Sequence, residues 1–146
     1  MDICNKVKQL YTKDTKTGYT ILKELEGLSN QSNQLYAYLV EFMSMLKSEN
    51  YAIRLRGFRL LCLQAKWDDK KIIDENIQLI LEALHDDKPT AIRQILQYMQ
   101  FIIPYKKDLH NQIKEAVSSM DYSHFKDTMQ PLIKKDIASL IALIQN

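Results

Sequence analysis

Two helix openings with the same residues, 39 positions apart, constrain the fold of this chain more than any other feature. Residues 50–54 (NYAIR) and 89–93 (PTAIR) share Ala-Ile-Arg in register, and each follows a polar break and leads into an apolar stretch. Similarity at a fixed period of this length is typical of helical repeats. Because such a repeat buries its apolar face only by stacking on a neighbour, the pattern predicts an all-α HEAT-like solenoid, an α-α superhelix with a continuous groove.

The size and composition of the chain are consistent with a helical domain. The 146 residues are 46% hydrophobic, which is enough for one domain with its own core. Only 3 Gly and 3 Pro occur, too few for the turns of an all-β sandwich. We therefore expect a single domain over residues 1–146, with N-terminal helices in 1–47 and the clearest repeats in 48–146.

Apolar periodicity predicts about eight helices along the chain. They cover roughly Ile3–Tyr11, Tyr19–Leu28, Gln34–Lys47, Tyr51–Lys66, Ile73–Leu84, Pro89–Ile103, Lys106–Ser118 and a last segment after Asp121 that Pro131 kinks or restarts. The fourth helix is apolar on more than one side, which predicts a central position. Gly57 within it indicates a close approach to another helix.

The chain carries no pattern of a membrane protein or of a metal protein. Cys4 and Cys62 form no CxxC pair, and Cys62 lies in an apolar run where a small hydrophobic residue is expected. The first ten residues lack a signal-peptide core, and no apolar stretch is long enough to cross a bilayer. These observations predict a cytoplasmic protein that needs neither a cofactor nor a membrane.

The span from about Ser48 to Ile144 resembles small bacterial HEAT-like repeat proteins of a family often labelled "SufBD protein". The resemblance rests on residues 51–58, 65–68, 86–94, 105–106 and 131–137, within a span that covers about two-thirds of the chain. It implies the helical-repeat fold, but the family has no established activity to carry over. The label also implies a role in iron–sulfur assembly. The sequence gives this role little support, because it has only two unpaired cysteines and three scattered histidines as possible cluster ligands.

The charged residues are segregated along the chain. Basic residues occur without any acid in 51–66 and again in 89–107, whereas 67–87 holds seven acidic residues and only two lysines. The second helix of each repeat lines the inner surface of a solenoid. The segregation therefore predicts a basic concave groove, which would attract anions.

We expect this groove to lie between the fourth, sixth and last helices. Its candidate binding residues are Arg56, Arg59, Arg93, Gln97 and Lys106, with Trp67 and Asp68 at the end of the fourth helix. Arginine can bind carboxylate or phosphate with two parallel hydrogen bonds. The predicted function is non-enzymatic binding of a protein segment or another anionic partner. The alternative is nucleic-acid binding, with glycosylase-like action on bases through Trp67 and Asp68.

The candidate groove residues can also be explained by structural roles. Asp87 and Arg93 have the separation of the aspartate–arginine ladder common in HEAT-like repeats, and Arg54 occupies the position equivalent to Arg93. Arg56 and Arg59 could be solvated, and a lone tryptophan at a helix end often seals a core. A third possibility is an oligomeric role for apolar surface on the terminal helix.

No catalytic motif competes with these interpretations. The stretch His85-Asp86-Asp87 is typical of the polar end of a surface helix. His110 and His124 have no Ser or Cys arrangement of a triad, and a Gly-rich phosphate loop is missing from the sequence. We therefore expect no enzymatic activity.

Overall fold

The computed structural model describes residues 1–145, and all of its regular secondary structure is helical. The nine α-helices of this part of the chain are α1 (Ile3–Gln9), α2 (Thr15–Gln31), α3 (Leu39–Met45), α4 (Tyr51–Leu63), α5 (Ile72–Glu75), α6 (Ile77–Leu81), α7 (Pro89–Met99), α8 (His110–Ser118) and α9 (Gln130–Gln145). Short 3-10 segments cover Gln34–Tyr38, Ala65–Trp67, Glu82–His85, Ile103–Tyr105 and Lys107–Leu109. The all-α prediction is confirmed. None of the helices in 1–145 combines the length and apolarity needed to span a membrane.

Capping residues determine where several helices begin. Asn50 Oδ1 accepts hydrogen bonds from the amides of Ala52 at 2.9 Å and Ile53 at 3.3 Å at the start of α4. Pro89 stands in the first turn of α7, where its missing N–H leaves no hydrogen bond unmade. The two similar openings noticed in the sequence are thus genuine helix starts with different caps.

The observed helix boundaries differ from the predicted ones by several residues at α2, α3, α7 and α8, and one predicted helix is broken in two. The expected helix from Ile73 to Leu84 is interrupted at Asn76, whose backbone leaves the helical region (φ −115°, ψ 18°) and whose Nδ2 donates to the Ile72 carbonyl at 2.8 Å. An asparagine side chain that donates to a neighbouring backbone carbonyl competes with helix formation in this way. The last helix begins at Gln130, so Pro131 restarts the helix, which is one of the two outcomes predicted for this proline.

Backbone contacts divide the chain into two compact units, of which the first is Met1–Lys70. Its core forms where α4 packs against α2 and α3, with Leu25, Phe42 and Phe58 almost fully buried. A Cβ atom on Gly57 would lie 2.6 Å from Met45 Cβ and 2.7 Å from the Phe42 carbonyl oxygen, so the predicted close helix approach is confirmed.

The second unit begins at Lys71 and is organised around α9, which packs against α7 and α8. Its core includes Ile92 and Leu96 of α7 and Ile113 of α8. Only Ile133 and Leu140 of α9 are buried, although the helix is rich in apolar residues. Much of the apolar surface of α9 is therefore exposed or half-buried.

Candidate functional site

Arg56 is buried in the first unit and does not line an open groove. Its side chain lies on α4, and the residue is 5% exposed. The Nη1 atom donates to the carbonyl oxygens of Leu10 at 2.8 Å and Thr12 at 2.6 Å, just after α1. Burial lowers the pKa of the guanidinium. The prediction that Arg56 holds a partner is therefore corrected: Arg56 fixes the connection between α1 and α2.

Gly18 leaves the space that the buried guanidinium occupies. A Cβ atom at this position of α2 would lie 2.2 Å from Nη2 of Arg56. Because Arg56 is held by two carbonyls, it cannot move aside without losing those bonds. Gly18 and Arg56 therefore belong to one structural arrangement.

Arg59 is neutralised by a carboxylate of α2. Its Nε and Nη2 atoms donate to the two oxygens of Glu26 at 2.8 Å and 2.9 Å, and Glu26 is itself buried. This is the two-bond geometry with which Arg59 was predicted to bind a partner. The partner in the structure is internal. Arg54 likewise donates to the backbone carbonyls of Ser48 and Glu49 at the start of α4.

Trp67 and Asp68 connect the end of α4 to the region around the end of α2. Trp67 Nε1 donates to the Ser29 carbonyl at 3.1 Å. The buried carboxylate of Asp68 accepts from the hydroxyl of Tyr36 at 2.6 Å. Burial and the neighbouring Asp68 raise the pKa of Tyr36. Both side chains thus make hydrogen bonds to other residues of the first unit.

Arg93 ties α7 to α9 in the second unit. Its Nε donates to Asp136 Oδ2 at 2.7 Å and its Nη2 to Oδ1 at 3.3 Å. The hydrogen bond to Asp136 raises the pKa of Arg93. A structural role was one of the two predictions for Arg93, but the expected partner Asp87 is corrected to Asp136. The ladder does not form in the predicted way.

Lys106 is the fourth predicted groove cation, and it too has an internal partner. The residue is 7% exposed, and its Nζ lies 2.6 Å from Oδ1 of Asp74. Arg56, Arg59, Arg93 and Lys106 are therefore all engaged within their own units. This explains why segregated charge in the sequence need not produce an open basic surface.

Gln97 differs from the other predicted site residues because its side chain is exposed and makes no hydrogen bond within residues 1–145. Neither Gln97 nor Gln100 has a side-chain hydrogen-bond partner within residues 1–145. Both line a cleft of about 170 Å³ between α7 and α9. Leu96, Leu140 and Leu143 supply its apolar lining, and Ser139 and Asp136 complete its wall.

The cleft brings together two parts of the predicted site. Gln97 lies on its rim, and Arg93 holds the Asp136 carboxylate that forms part of its wall. Sequence reasoning missed Asp136 and Leu143, although it identified the apolar face of the terminal helix. A signal for Asp136 was present, because this acid lies among Ile133, Ile137 and Leu140 on an apolar stripe.

His85 and Asp86 line a different cavity of about 370 Å³ in the second unit. Ser119, Asp121 and His124 contribute to the same walls. Ser123 donates to Asp121 from its hydroxyl at 2.6 Å and from its backbone at 2.9 Å, and these bonds lower the pKa of that carboxyl. Nowhere in residues 1–145 do three His, Cys, Asp or Glu side chains form a group suited to a metal ion.

Comparison with protein-family models, with curated proteins and with solved structures found no match to this chain.

Proposed function

We propose that this protein is a non-enzymatic binding module that holds a segment of another protein in the cleft between α7 and α9. The observation that carries the proposal is the composition of this cleft. Leucine side chains form its lining, while the uncommitted amides of Gln97 and Gln100 stand at its edge. Apolar contact can anchor a partner side chain, and glutamine amides can donate to and accept from a partner backbone.

The volume of the cleft supports a protein segment over a small molecule. Pockets for drug-sized ligands and cofactors usually enclose roughly 300–1,000 Å³. The cleft between α7 and α9 holds about 170 Å³. A space of this size suits one apolar side chain inserted from a larger partner, with further contacts outside the cleft.

We also propose that the fold is of the HEAT-like repeat type. The matching helix starts at Tyr51 and Pro89 support it, and so does the resemblance to the family often labelled "SufBD protein". Repeat proteins of this type bind partners along surfaces made by successive helices. The proposal includes no role in iron–sulfur assembly.

The ion pairs of Arg59 with Glu26 and of Arg93 with Asp136 make it less favourable for these arginines to bind an external anion. A phosphate that bound Arg59 or Arg93 would have to displace Glu26 or Asp136. Each displaced carboxylate would then lose its arginine partner while remaining largely buried, which is unfavourable. A nucleic acid at these residues is therefore the weaker of the two functions predicted from the sequence.

The proposal can be tested by selecting peptides from a displayed random library on the full-length protein. The affinity of the strongest peptide is then measured for the wild type and for Leu143→Glu, which puts a charge into the cleft. We expect at least a tenfold loss, about 1.4 kcal/mol. Leu132→Glu is the matched control, because Leu132 is an exposed leucine of α9 outside the cleft lining.

Equal loss in both variants, or a selection that yields no peptide, would refute the proposed cleft. Circular dichroism of each variant shows that it remains folded. A labelled DNA duplex is tested in parallel across a salt series. Salt-dependent duplex binding that Arg59→Ala and Arg93→Ala each weaken would instead support the nucleic-acid function.

A further inference from the structure

A second cleft in the same unit concentrates lysine side chains. It encloses about 290 Å³, and Lys71, Lys106 and Lys107 contribute to its lining. Lys71 directly precedes α5, and the other two lysines follow the 3-10 segment Ile103–Tyr105. This cleft is separate from the one between α7 and α9, since the two share no lining residue.

Lys106 and Asp74 form an ion pair in the wall of this cleft. Their ion pair is 2.6 Å long, and the Lys106 side chain is 7% exposed. Because Lys106 balances the charge of Asp74, the charges left at the cleft are those of Lys71, Lys107 and Asp108. The balance is positive, so the cleft favours an anion.

The backbone of Lys71 is strained. Its φ of 59° places it in the left-handed region, and it is the only residue other than glycine with positive φ in the described part of the chain. A lysine there is less stable than a glycine would be. Strain of this kind is concentrated at binding sites, where the side chain has a use. Lys71 supplies an ammonium group to the lining of the cleft.

Two exposed ring side chains belong to the same lining as the lysines. Tyr105 is 53% exposed, and the exposed Pro104 precedes it in the lining. An exposed tyrosine ring next to cationic side chains is a combination with which proteins bind the nucleotides of single-stranded nucleic acid, because a base stacks on the ring while the cations hold the phosphate.

From this combination we propose that the cleft binds a nucleoside monophosphate unit. The phosphate lies between Lys71 and Lys107, and the base stacks on Tyr105. The unit is either a free mononucleotide or one nucleotide of a single strand. This inference is independent of the protein-binding proposal, because it concerns a different cleft and a different ligand.

Nuclear magnetic resonance of the ¹⁵N-labelled full-length protein can test this site. Adenosine monophosphate, adenosine, inorganic phosphate and a short oligoadenylate are titrated separately. We expect adenosine monophosphate to shift the amide signals of Lys71, Tyr105 and Lys107, and to bind more tightly than adenosine or phosphate alone. Tighter binding by the oligonucleotide than by the mononucleotide would identify a single strand as the source.

Variants distinguish specific binding of adenosine monophosphate in this cleft from nonspecific attraction of its phosphate to any surface lysine. Lys107→Ala should weaken adenosine monophosphate binding about two- to fivefold, the range of one exposed charge pair. Lys71→Gly should weaken it similarly while relieving the strain, so that loss of folding does not explain the effect. Tyr105→Ala should reduce the preference for adenosine monophosphate over phosphate.

The control is Lys135→Ala, which removes an exposed lysine of α9 outside the cleft. The proposal is wrong if millimolar adenosine monophosphate leaves the three amide signals unmoved. It is also wrong if Lys135→Ala weakens binding as much as Lys107→Ala does. Neither result would affect the cleft between α7 and α9, which is tested with peptides and with Leu143→Glu.

Discussion

Arg56 shows how one buried cation organises a connection far from it in sequence. The guanidinium makes two bonds to carbonyls after α1, which a lysine ammonium cannot reproduce with the same planar geometry. We expect Arg56→Lys to lower the free energy of unfolding by about 2 kcal/mol, because buried carbonyls lose their donors. Urea unfolding measures the change.

Arg54→Lys provides the comparison for this prediction. Arg54 also donates to backbone carbonyls, but it is only half-buried, so water can replace the lost bonds. The substitution should destabilise the protein by less than Arg56→Lys does. Equal effects of the two substitutions would show that the burial of Arg56 has no special importance.

Two helical glycines differ sharply in the space around them. Gly57→Ala should destabilise the protein by about 1–3 kcal/mol, because the new methyl group meets Met45 and a backbone oxygen of α3. Apart from its own helix backbone and chain neighbours, no atom of residues 1–145 lies within 4 Å of a Cβ added at Gly27, so Gly27→Ala should stabilise α2 by about 0.5–1 kcal/mol. Thermal unfolding of both variants checks the opposite signs.

At the scale of elements, the Arg93–Asp136 pair contributes to the packing of α7 on α9. The side chains are 31% and 11% exposed, so the pair is only partly screened by water. A double-mutant cycle with Arg93→Ala and Asp136→Ala should give a coupling free energy of about 1–2 kcal/mol. Asp87→Ala is the control and should show no coupling to Arg93→Ala. Coupling to Asp87 would restore the ladder predicted from the sequence.

The stability of the whole molecule should fall at alkaline pH. The hydroxyl of Tyr11 donates to Glu41. Burial is the larger cause and the Glu41 carboxylate the smaller one of a rise in the pKa of Tyr11 from 10.0 to about 12. Its stabilising contribution is complete below the pKa of 10.0 in the unfolded chain. It is lost as the pH rises towards 12, because the unfolded chain releases the proton first.

Urea unfolding between pH 9 and pH 11 tests this pH dependence. The wild type should lose more stability over this interval than Tyr11→Phe, which has no proton to release. Tyr19→Phe removes the hydroxyl of an exposed tyrosine and serves as the control. A wild-type decline no steeper than that of Tyr11→Phe would show that Tyr11 does not contribute.

The accuracy of sequence-based prediction varied with the range of the interaction. The helix starts at Tyr51 and Pro89 were predictable because the cap and the first-turn proline act on their immediate neighbours. The interruption at Asn76 was missed, because apolar periodicity continues across it while a local side-chain bond breaks the helix.

The candidate site was harder to predict because charge in a sequence does not reveal its partner. Gln97 was identified and has an exposed, uncommitted amide. Arg56 and Arg59 were assigned to a groove, yet they are bound to a connecting segment and to α2. A basic stretch without acids looks the same whether its partners are solvent, a ligand or distant carboxylates.

Local sequence patterns were enough to predict that this chain is helical and where helices such as α4 and α7 begin, because capping and the helical period depend on residues within a few positions of one another. Which charges remain available depends instead on tertiary packing. Glu26 lies 33 residues from Arg59, and Asp136 lies 43 residues from Arg93. Such pairs form when packing brings distant helices together, and that packing also left the cleft between α7 and α9 open with Gln97 at its edge.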